Sequence, residues 1–598
     1  MLRLRQDPGL ALLLLALVLA AAIYTPTLGR GLVNYDDPWL YNDNALLHHA
    51  TWSGVVTVLT DLDSPQRYAL SPEYLPVRDL SVMADYAIWG EHYGGFHLTN
   101  LLIYLAAIAL WFHALAALGV PRPIAGLAML LWALHPSHAE SVAWLAERKG
   151  LLGVMWAGAC ALGYAKFRAG GRAAWLVLAV VGGVAAVWSK AIAAFAVAAL
   201  GPIELVPQGD LLASRLAGIA ARRSSWRRSL TGLGAIAIAA GLAFVPVVML
   251  AVRWSVVGGD SAALPASRTV SVLGVHGFYL RLAAGAVPNA VSYPIASTGP
   301  GALDLLLGAL GFVAIVVALW RGPRALKIAA VLWIFGWLPV GHLVLPLQMV
   351  FVADRYLLIP TLGVALALAV GISQIARPKL RAAALVVVAL AFAFRALDAQ
   401  STWRSNELLW QRAIASNPSD GNAWAMYLEA LDADGRVADA AGVVDEALSH
   451  SRLPRLVMHA GLTALAEGRS DEGLALMTEA ATHGEPRAMA NLANLYADRG
   501  RLDEALRWAH HATVAAPSYA NGHRIRGKVA RLAQRADESR YAFEHAYLLE
   551  PTSAVNRYNL ALAYADARRI ADARTLLESC TGDPEVGELA RGMLSRLR

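Results

Sequence analysis

Apolar residues fill long blocks through the first two thirds of the chain, then give way near residue 400 to shorter stretches whose apolar and polar positions recur at helical spacing. A helix needs about 20 mostly apolar residues to cross a bilayer's hydrocarbon. Runs near that length lie at 9–28, 98–118, 124–137, 151–167, 173–189, 191–207, 230–252, 302–320, 326–345, 356–375 and 381–397, so about 11 transmembrane helices are expected. The stretch 270–288 is also apolar, but it carries His276 and Arg281, and a further crossing there would invert every later loop. It is read as a re-entrant or interfacial helix.

Beyond residue 400 the pattern repeats. Gly435, Gly468, Gly500, Gln534 and Arg568 stand 33, 32, 34 and 34 residues apart, which is the tetratricopeptide period, and Pro454, Pro486, Pro517, Pro551 and Pro584 punctuate the same units. Small residues such as Ala490, Ala493 and Ala497, then Ala505 and Ala509, let the two helices of a unit approach. Five helical hairpins are expected, stacked as a solenoid that binds or presents a partner, with a rigid spacer as the plainer alternative. The expected fold is all-α: a polytopic membrane domain over 1–398, with a long loop at 29–97, and a soluble tetratricopeptide domain over 399–598.

At 57% hydrophobic and 16% charged, the 598 residues exclude an ordinary soluble protein, which carries about a quarter charged residues. The net charge of +7 does not point to nucleic acid, because the basic excess sits in short loops between apolar runs. Alternating crossings gather Arg122; Lys166, Arg168 and Arg172; Arg215, Arg222, Arg223, Arg227 and Arg228; Arg321, Arg324 and Lys327; and Arg377, Lys379 and Arg381 on one side. With Arg3 and Arg5 ahead of the first run, that side is the cytoplasm. The expected location is the cytoplasmic (inner) membrane, with the repeats periplasmic or otherwise extracytoplasmic. Two cysteines, Cys160 and Cys580, supply no disulfide framework.

The candidate chemistry lies in the loops left outside. Asn34-Tyr35-Asp36-Asp37-Pro38-Trp39 sets two adjacent carboxylates at a membrane surface, where they repel unless they serve a purpose. Asp36 is the candidate general base toward an acceptor hydroxyl and Asp37 its assistant, the alternative being a plain turn before Pro38. Asp85 is a second acid or an ion-pair partner of Arg78, and His97 with Asn100 stands at the mouth of the second crossing. In His135-Pro136-Ser137-His138-Ala139-Glu140, the residue types suit a divalent cation, but the His-Glu-x-x-His spacing is absent and hydrogen bonding is the competing use. The sequence assigns no cofactor, and a divalent cation stays an open alternative. Arg148, Lys149, Lys190 and Arg355 are candidate ligands for a lipid-borne phosphate, although Arg355 has Asp354 beside it as a local partner. No GxxxxGK[ST] loop for a nucleotide is present in the sequence.

Taken in order, Asn34-Tyr35-Asp36-Asp37, Tyr74-x-Pro76, His97 through Leu102, His135-Pro136-x-His138-x-Glu140-Ser141-Val142-Ala143-Trp144-x-Ala146-Glu147-Arg148-Lys149, Ser189-Lys190 and Ala353-Asp354-Arg355-Tyr356, followed by the repeats, resemble bacterial relatives of the transmembrane and tetratricopeptide-containing O-mannosyltransferases. The resemblance implies a GT-C glycosyltransferase that moves a sugar, a hexose such as mannose, from a polyprenyl-phosphate donor to an acceptor hydroxyl on protein or glycan, at the outer face and with inversion. On it, Asp36 and Asp37 match the catalytic acids. Arg148, Lys190 and Arg355 match cationic positions that neutralise the donor phosphate, and His138 and Glu140 match the second-loop motif that shapes the acceptor or donor pocket; Lys149 for the phosphate, and Tyr35, Asp85, His97, His135 and Asp354 for the pocket, are further candidates from their place in the outer loops. The chain departs from the pattern at Gly150, where relatives carry Asp, at Ala191, where Pro is common, and at Arg78, where Thr is frequent. The alternatives from other classes are a membrane-anchored repeat scaffold with a degenerate core, and a ligase acting on lipid or glycan.

Overall fold

The computed structural model describes residues 7–42, 44–48, 50–62, 73–206, 219–257, 268–343, 351–551 and 553–597. Every regular element among them is helical. Two compact units result, and the main break falls between Asn417 and Pro418 rather than near 398. The extra length belongs to the first unit because Trp410 Nε1 donates to Asn34 Oδ1 at 2.6 Å, the Asn34 amide donates to Asn406 Oδ1 at 2.8 Å, and Asn417 reaches Ser292 at 3.1 Å.

In the first unit, six helices among the described residues are long and apolar enough to cross a membrane: Pro8–Gly29, Tyr93–Ala117, Leu145–Gly170, Trp226–Val252, Ala302–Arg321 and Pro378–Arg404. The other five expected crossings correspond to shorter helices, at Arg122–Ala133, Ala173–Ser189, Ala193–Leu205, Arg324–Trp337 and Pro360–Ser373. A 12-residue helix such as Arg122–Ala133 rises only about 18 Å, against about 30 Å of hydrocarbon. Among the described residues, six helices are thus long and apolar enough to cross, fewer than the eleven expected. Proline shortens several of these runs, since it cannot continue a helix and restricts the residue before it: Pro136 follows the helix that ends at Ala133, Pro339 follows Trp337, and Pro360 opens its own helix. Arg122–Ala133 spends its apolar surface inside the unit, where every residue from Ala125 to Ala133 is buried.

Helices approach closely where side chains are absent. A Cβ on Gly163 would lie 2.6 Å from the Ala179 nitrogen, and one on Gly182 would lie 2.7 Å from the Cys160 nitrogen, which draws Arg148–Gly170 and Ala173–Ser189 together. The segment read as interfacial forms the 16-residue helix Arg268–Ala283. It packs on Ala302–Arg321 and pairs two of its polar residues inside the unit: His276 lies between the Gly308 carbonyl at 3.1 Å and Trp333 Nε1 at 3.0 Å, and Arg281 pairs with Asp304 at 2.7 Å. Of the basic residues that suggested orientation, Arg3, Arg5 and Arg215 lie outside the described residues, as do residue 207 and residues 344–345 at the ends of two expected runs.

The second unit contains five helical hairpins: Gly421–Ala433 with Val437–His450, Pro454–Ala466 with Ser470–Thr482, Pro486–Asp498 with Leu502–Ala515, Ala520–Leu532 with Ala536–Leu549, and Ala554–Asp566 with Ile570–Glu578. The helix Gly587–Arg596 follows. The five spaced residues sit at the turns in left-handed backbone, with φ of 71°, 80° and 73° at Gly435, Gly468 and Gly500, and 57° and 58° at Gln534 and Arg568. Glycine adopts that conformation freely. Gln534 and Arg568 do so at a small steric cost, which is why the period survives there without glycine.

Candidate functional site

The chain leaves its first helix, turns at Val33–Tyr35 and buries Asp37, whose two carboxylate oxygens accept from the backbone amides of Val33 and Ala146, both at 3.0 Å. Asp37 therefore fastens the first long loop to the turn at 144–147. Burial pushes its carboxyl up to about 7, against the pull of the two amides. Beside it Tyr35 stacks on Trp144 at 4.8 Å between ring centroids, and Trp144 stacks on Trp403 at 5.3 Å. This framework positions Asp36, which is half-buried. Among the described residues the Asp36 carboxylate has no hydrogen-bond or ion-pair partner. Burial raises its proton affinity, while the charges of Lys149 and Arg355 lower it.

Around Asp36 the remaining charges are paired. Glu140, on the short helix His138–Ala143, accepts the Arg355 amide at 2.8 Å and also its guanidinium. Glu147 pairs with Lys190, which caps the C-terminus of Ala173–Ser189. Lys149, in the first turn of Arg148–Gly170, pairs with Glu73 at 2.6 Å. Burial raises the Glu140 carboxyl, with Arg355 opposing, and lowers the Lys190 ammonium, with Glu147 opposing. The Arg355 guanidinium lies 5.5 Å from the Trp144 ring and 5.2 Å from Tyr356. A Cβ on Gly150 would stand 2.5 Å from Glu147 Oε1, so the glycine leaves room for the Glu147–Lys190 pair. Asp354 accepts from Asn289 at 2.9 Å and from Tyr293 at 2.6 Å. Burial, reinforced by Glu140, pushes it up to about 8. A small pocket lies here, lined by Glu140, Asn289, Asp354, Thr402 and Trp403 among others.

Several expected site residues fall elsewhere. Arg148 is fully buried and donates to Asn100 at 2.6 Å, to the Ser81 carbonyl at 3.3 Å and to the Phe96 carbonyl at 3.0 Å, with Asp85 at 2.5 Å. Its donors are spent inside the protein, so it is not placed to hold a phosphate. Asp85 pairs with Arg148 and Thr99, not with Arg78, which pairs with its neighbour Asp79 at 2.6 Å. His97 is buried in the Tyr93–Ala117 helix, where the charges that reach it are those of Arg30 and Arg148. His135 is held by the Ala283 carbonyl and Ser137, and His138 by Tyr104 and Thr361, every one of these contacts at 2.8 Å. Both rings fasten helices instead of lining a pocket. Among the described residues no group of three or more His, Cys, Asp or Glu side chains is arranged to hold a metal ion.

The structure brings together Tyr35, Asp36, Asp37, Glu140, Lys149, Lys190, Asp354 and Arg355, and adds Glu73, Glu147, Trp144, Tyr356 and Trp403. Glu147 had a signal in the sequence, as a carboxylate beside two cations at the start of an apolar run that needs a buried counterion. Glu73 had none.

No family model and no curated protein matches this chain. Among solved structures it is similar to YrrB, a tetratricopeptide protein with an unusual peptide-binding site, at 17% identity over 31% of this chain and 97% of that one, with a TM-score of 0.25. It is similar to the Archaeoglobus fulgidus oligosaccharyltransferase tethered with an acceptor peptide at 14% identity over 72% of this chain and 58% of that one, with a TM-score of 0.37. Yeast Tom70 is similar at 13% identity over 82% and 95%, with a TM-score of 0.28. Likeness this distant carries no conclusion about the chain's chemistry.

Proposed function

We propose that this chain is an integral-membrane glycosyltransferase of the GT-C kind. It moves a hexose from a polyprenyl-phosphate donor to a hydroxyl, on protein, at the extracytoplasmic face of the membrane. One observation carries the proposal: within a cluster whose other acids are all bonded, Asp36 alone among the described residues keeps an uncommitted carboxylate, and it does so within the field of Lys149 and Arg355.

In this mechanism the acceptor oxygen attacks the anomeric carbon and its proton passes to Asp36. The bond from that carbon to the phosphate oxygen breaks, and the electron pair departs on the polyprenyl phosphate. The attacking and leaving oxygens lie on opposite faces of the sugar, which inverts the anomeric centre. Partial burial makes Asp36 a stronger base than a surface carboxylate. Lys149 neutralises the leaving phosphate, since its partner Glu73 is 44% exposed and can be exchanged for it. Lys190 and Arg355 keep their carboxylates and supply fixed positive potential. Asp37 is a positioning residue.

The reading is tested by mass spectrometry of envelope proteins and glycolipids from cells with and without the chain. The expected result is loss of a hexose from Ser or Thr peptides. Loss confined to glycolipids would overturn the protein acceptor, and no loss in either fraction would overturn the transferase.

A further inference from the structure

Two apolar helices of the first unit end together on cations that no acid meets. Arg30 follows Pro8–Gly29 at once, and Pro378–Arg404 closes on Arg404. These helices touch and end at one level, because Arg30 donates to the Gln400 carbonyl at 2.7 Å and to the Gln400 side-chain oxygen. Both acceptors are neutral, and a guanidinium has five N–H groups, so donors remain. Burial, and then the charge of Arg404, push Arg30 down to about 10, with no acid opposing. Arg404 is exposed and, among the described residues, has no hydrogen-bond or ion-pair partner. The neighbouring acids are engaged elsewhere: Asp398 pairs with Arg412 at 2.9 Å, and Glu407 accepts from Gln411 at 3.3 Å.

At the far ends of the same two helices Arg122 meets Asp7 at 2.6 Å, and Arg377, Lys379 and Arg381 belong to the basic loops that set orientation. Orientation accounts for the cations at that end and not for Arg30 and Arg404. Beside these two the surface is apolar. Val387, Leu390, Phe394 and Leu397 recur at steps of three and four and are all exposed, Phe394 at 75%, as is Val18 of the first helix. One leaflet supplies about half of the 30 Å of hydrocarbon, a depth that about ten residues of helix cover. Arg404 stands ten residues beyond Phe394. A lipid with its phosphate at Arg404 therefore lays its chains along Leu397 and Phe394.

We propose that Arg30 and Arg404 hold the phosphate of an anionic phospholipid of the bilayer, whose chains cover Leu390, Phe394 and Leu397. The planar guanidinium fork matches two phosphate oxygens at once. A headgroup without an ammonium is preferred, because the acids beside the two cations already have partners and none is placed to receive a second positive charge. The bound lipid ties the end of the first apolar helix to the end of the last. It does so whether or not the chain transfers sugar.

The test titrates the full chain, purified in a neutral detergent, with phosphatidylglycerol or with phosphatidylcholine of the same chains, and reads the first bound lipid by native mass spectrometry. Phosphatidylglycerol binds at least about tenfold more tightly. Arg404→Gln weakens it about fivefold, and folding is not at stake because that side chain has no partner to lose. Arg30→Gln with Arg404→Gln weakens it about 25-fold. Arg377→Gln with Arg381→Gln removes equal charge at the other end of the 24-residue helix, about 36 Å away, and stays within about twofold. Inorganic phosphate at millimolar concentration does not displace the lipid. Equal binding of the two lipids, unchanged binding by Arg404→Gln, an equal loss in the far-end control, or displacement by inorganic phosphate overturns the lipid site.

Discussion

Arg148 and Lys149 are neighbours in the chain and meet opposite fates. A step of one residue turns a helical side chain by about 100°. Arg148 consequently faces the Tyr93–Ala117 helix and is fully buried against Asp85, Asn100 and two carbonyls, while Lys149 faces the loops, 19% exposed, with the half-exposed Glu73 as its partner. The contrast separates two kinds of charge beside a membrane. One is a closed network that holds helices together, and the other is a paired cluster in which, among the described residues, only the Asp36 carboxylate is open. Residue type alone does not distinguish a cation locked in a buried network from one in a partly exposed pair.

The largest effect should come from breaking the closed network. Arg148→Gln leaves Asp85 buried without its cation and should cost about 3–5 kcal/mol, read as a collapse in folded yield and in the thermal midpoint in detergent. Arg148→Met combined with Asp85→Leu should recover much of that, because two apolar groups leave no orphaned charge. If Arg148→Gln folded normally yet lost donor affinity, the two cations would have exchanged roles. Lys149→Gln should cost under about 1 kcal/mol of stability, since the pair is partly solvated, while lowering sugar transfer about tenfold or more.

The smallest effect is a pH dependence. Asp37 and Asp354 have folded values of about 7 and 8, above the ordinary 3.8, so the folded state holds these protons longer than the unfolded one. Their contribution to stability is therefore full below about pH 4 and is lost as pH rises toward 7 and 8. Measured against Asp354→Asn, the native protein's unfolding midpoint should lose ground as pH rises from about 4 to about 8. A difference between the two midpoints that does not change with pH would contradict a neutral Asp354 in the folded state.

The repeat hairpins were legible because each turn needs the same left-handed residue at a fixed interval, a local requirement that marked Gly435 through Arg568 even where the residue is not glycine. The apolar runs were legible as helices, but among the described residues only six of the eleven are long enough to cross. Hydropathy counts apolar residues, while proline and packing set where a helix stops, as at Ala133 and Trp337. The cluster was legible in part: the acids and cations at 36, 37, 140, 149, 190 and 355 come together, while Glu73 and the partner of Asp85 did not show. Both of those depend on contacts across more than sixty residues of chain, where neither periodicity nor motif spacing carries information.

The central claim is that Asp36 takes the acceptor's proton. Purified chain in lipid vesicles, given a synthetic polyprenyl-phosphate hexose and a Ser/Thr peptide, tests it by comparing transfer rates of the native protein and Asp36→Asn alongside their unfolding midpoints. The account predicts a fall of about 10²–10⁴-fold in rate with the midpoint unchanged. A variant that transfers at the native rate would contradict it.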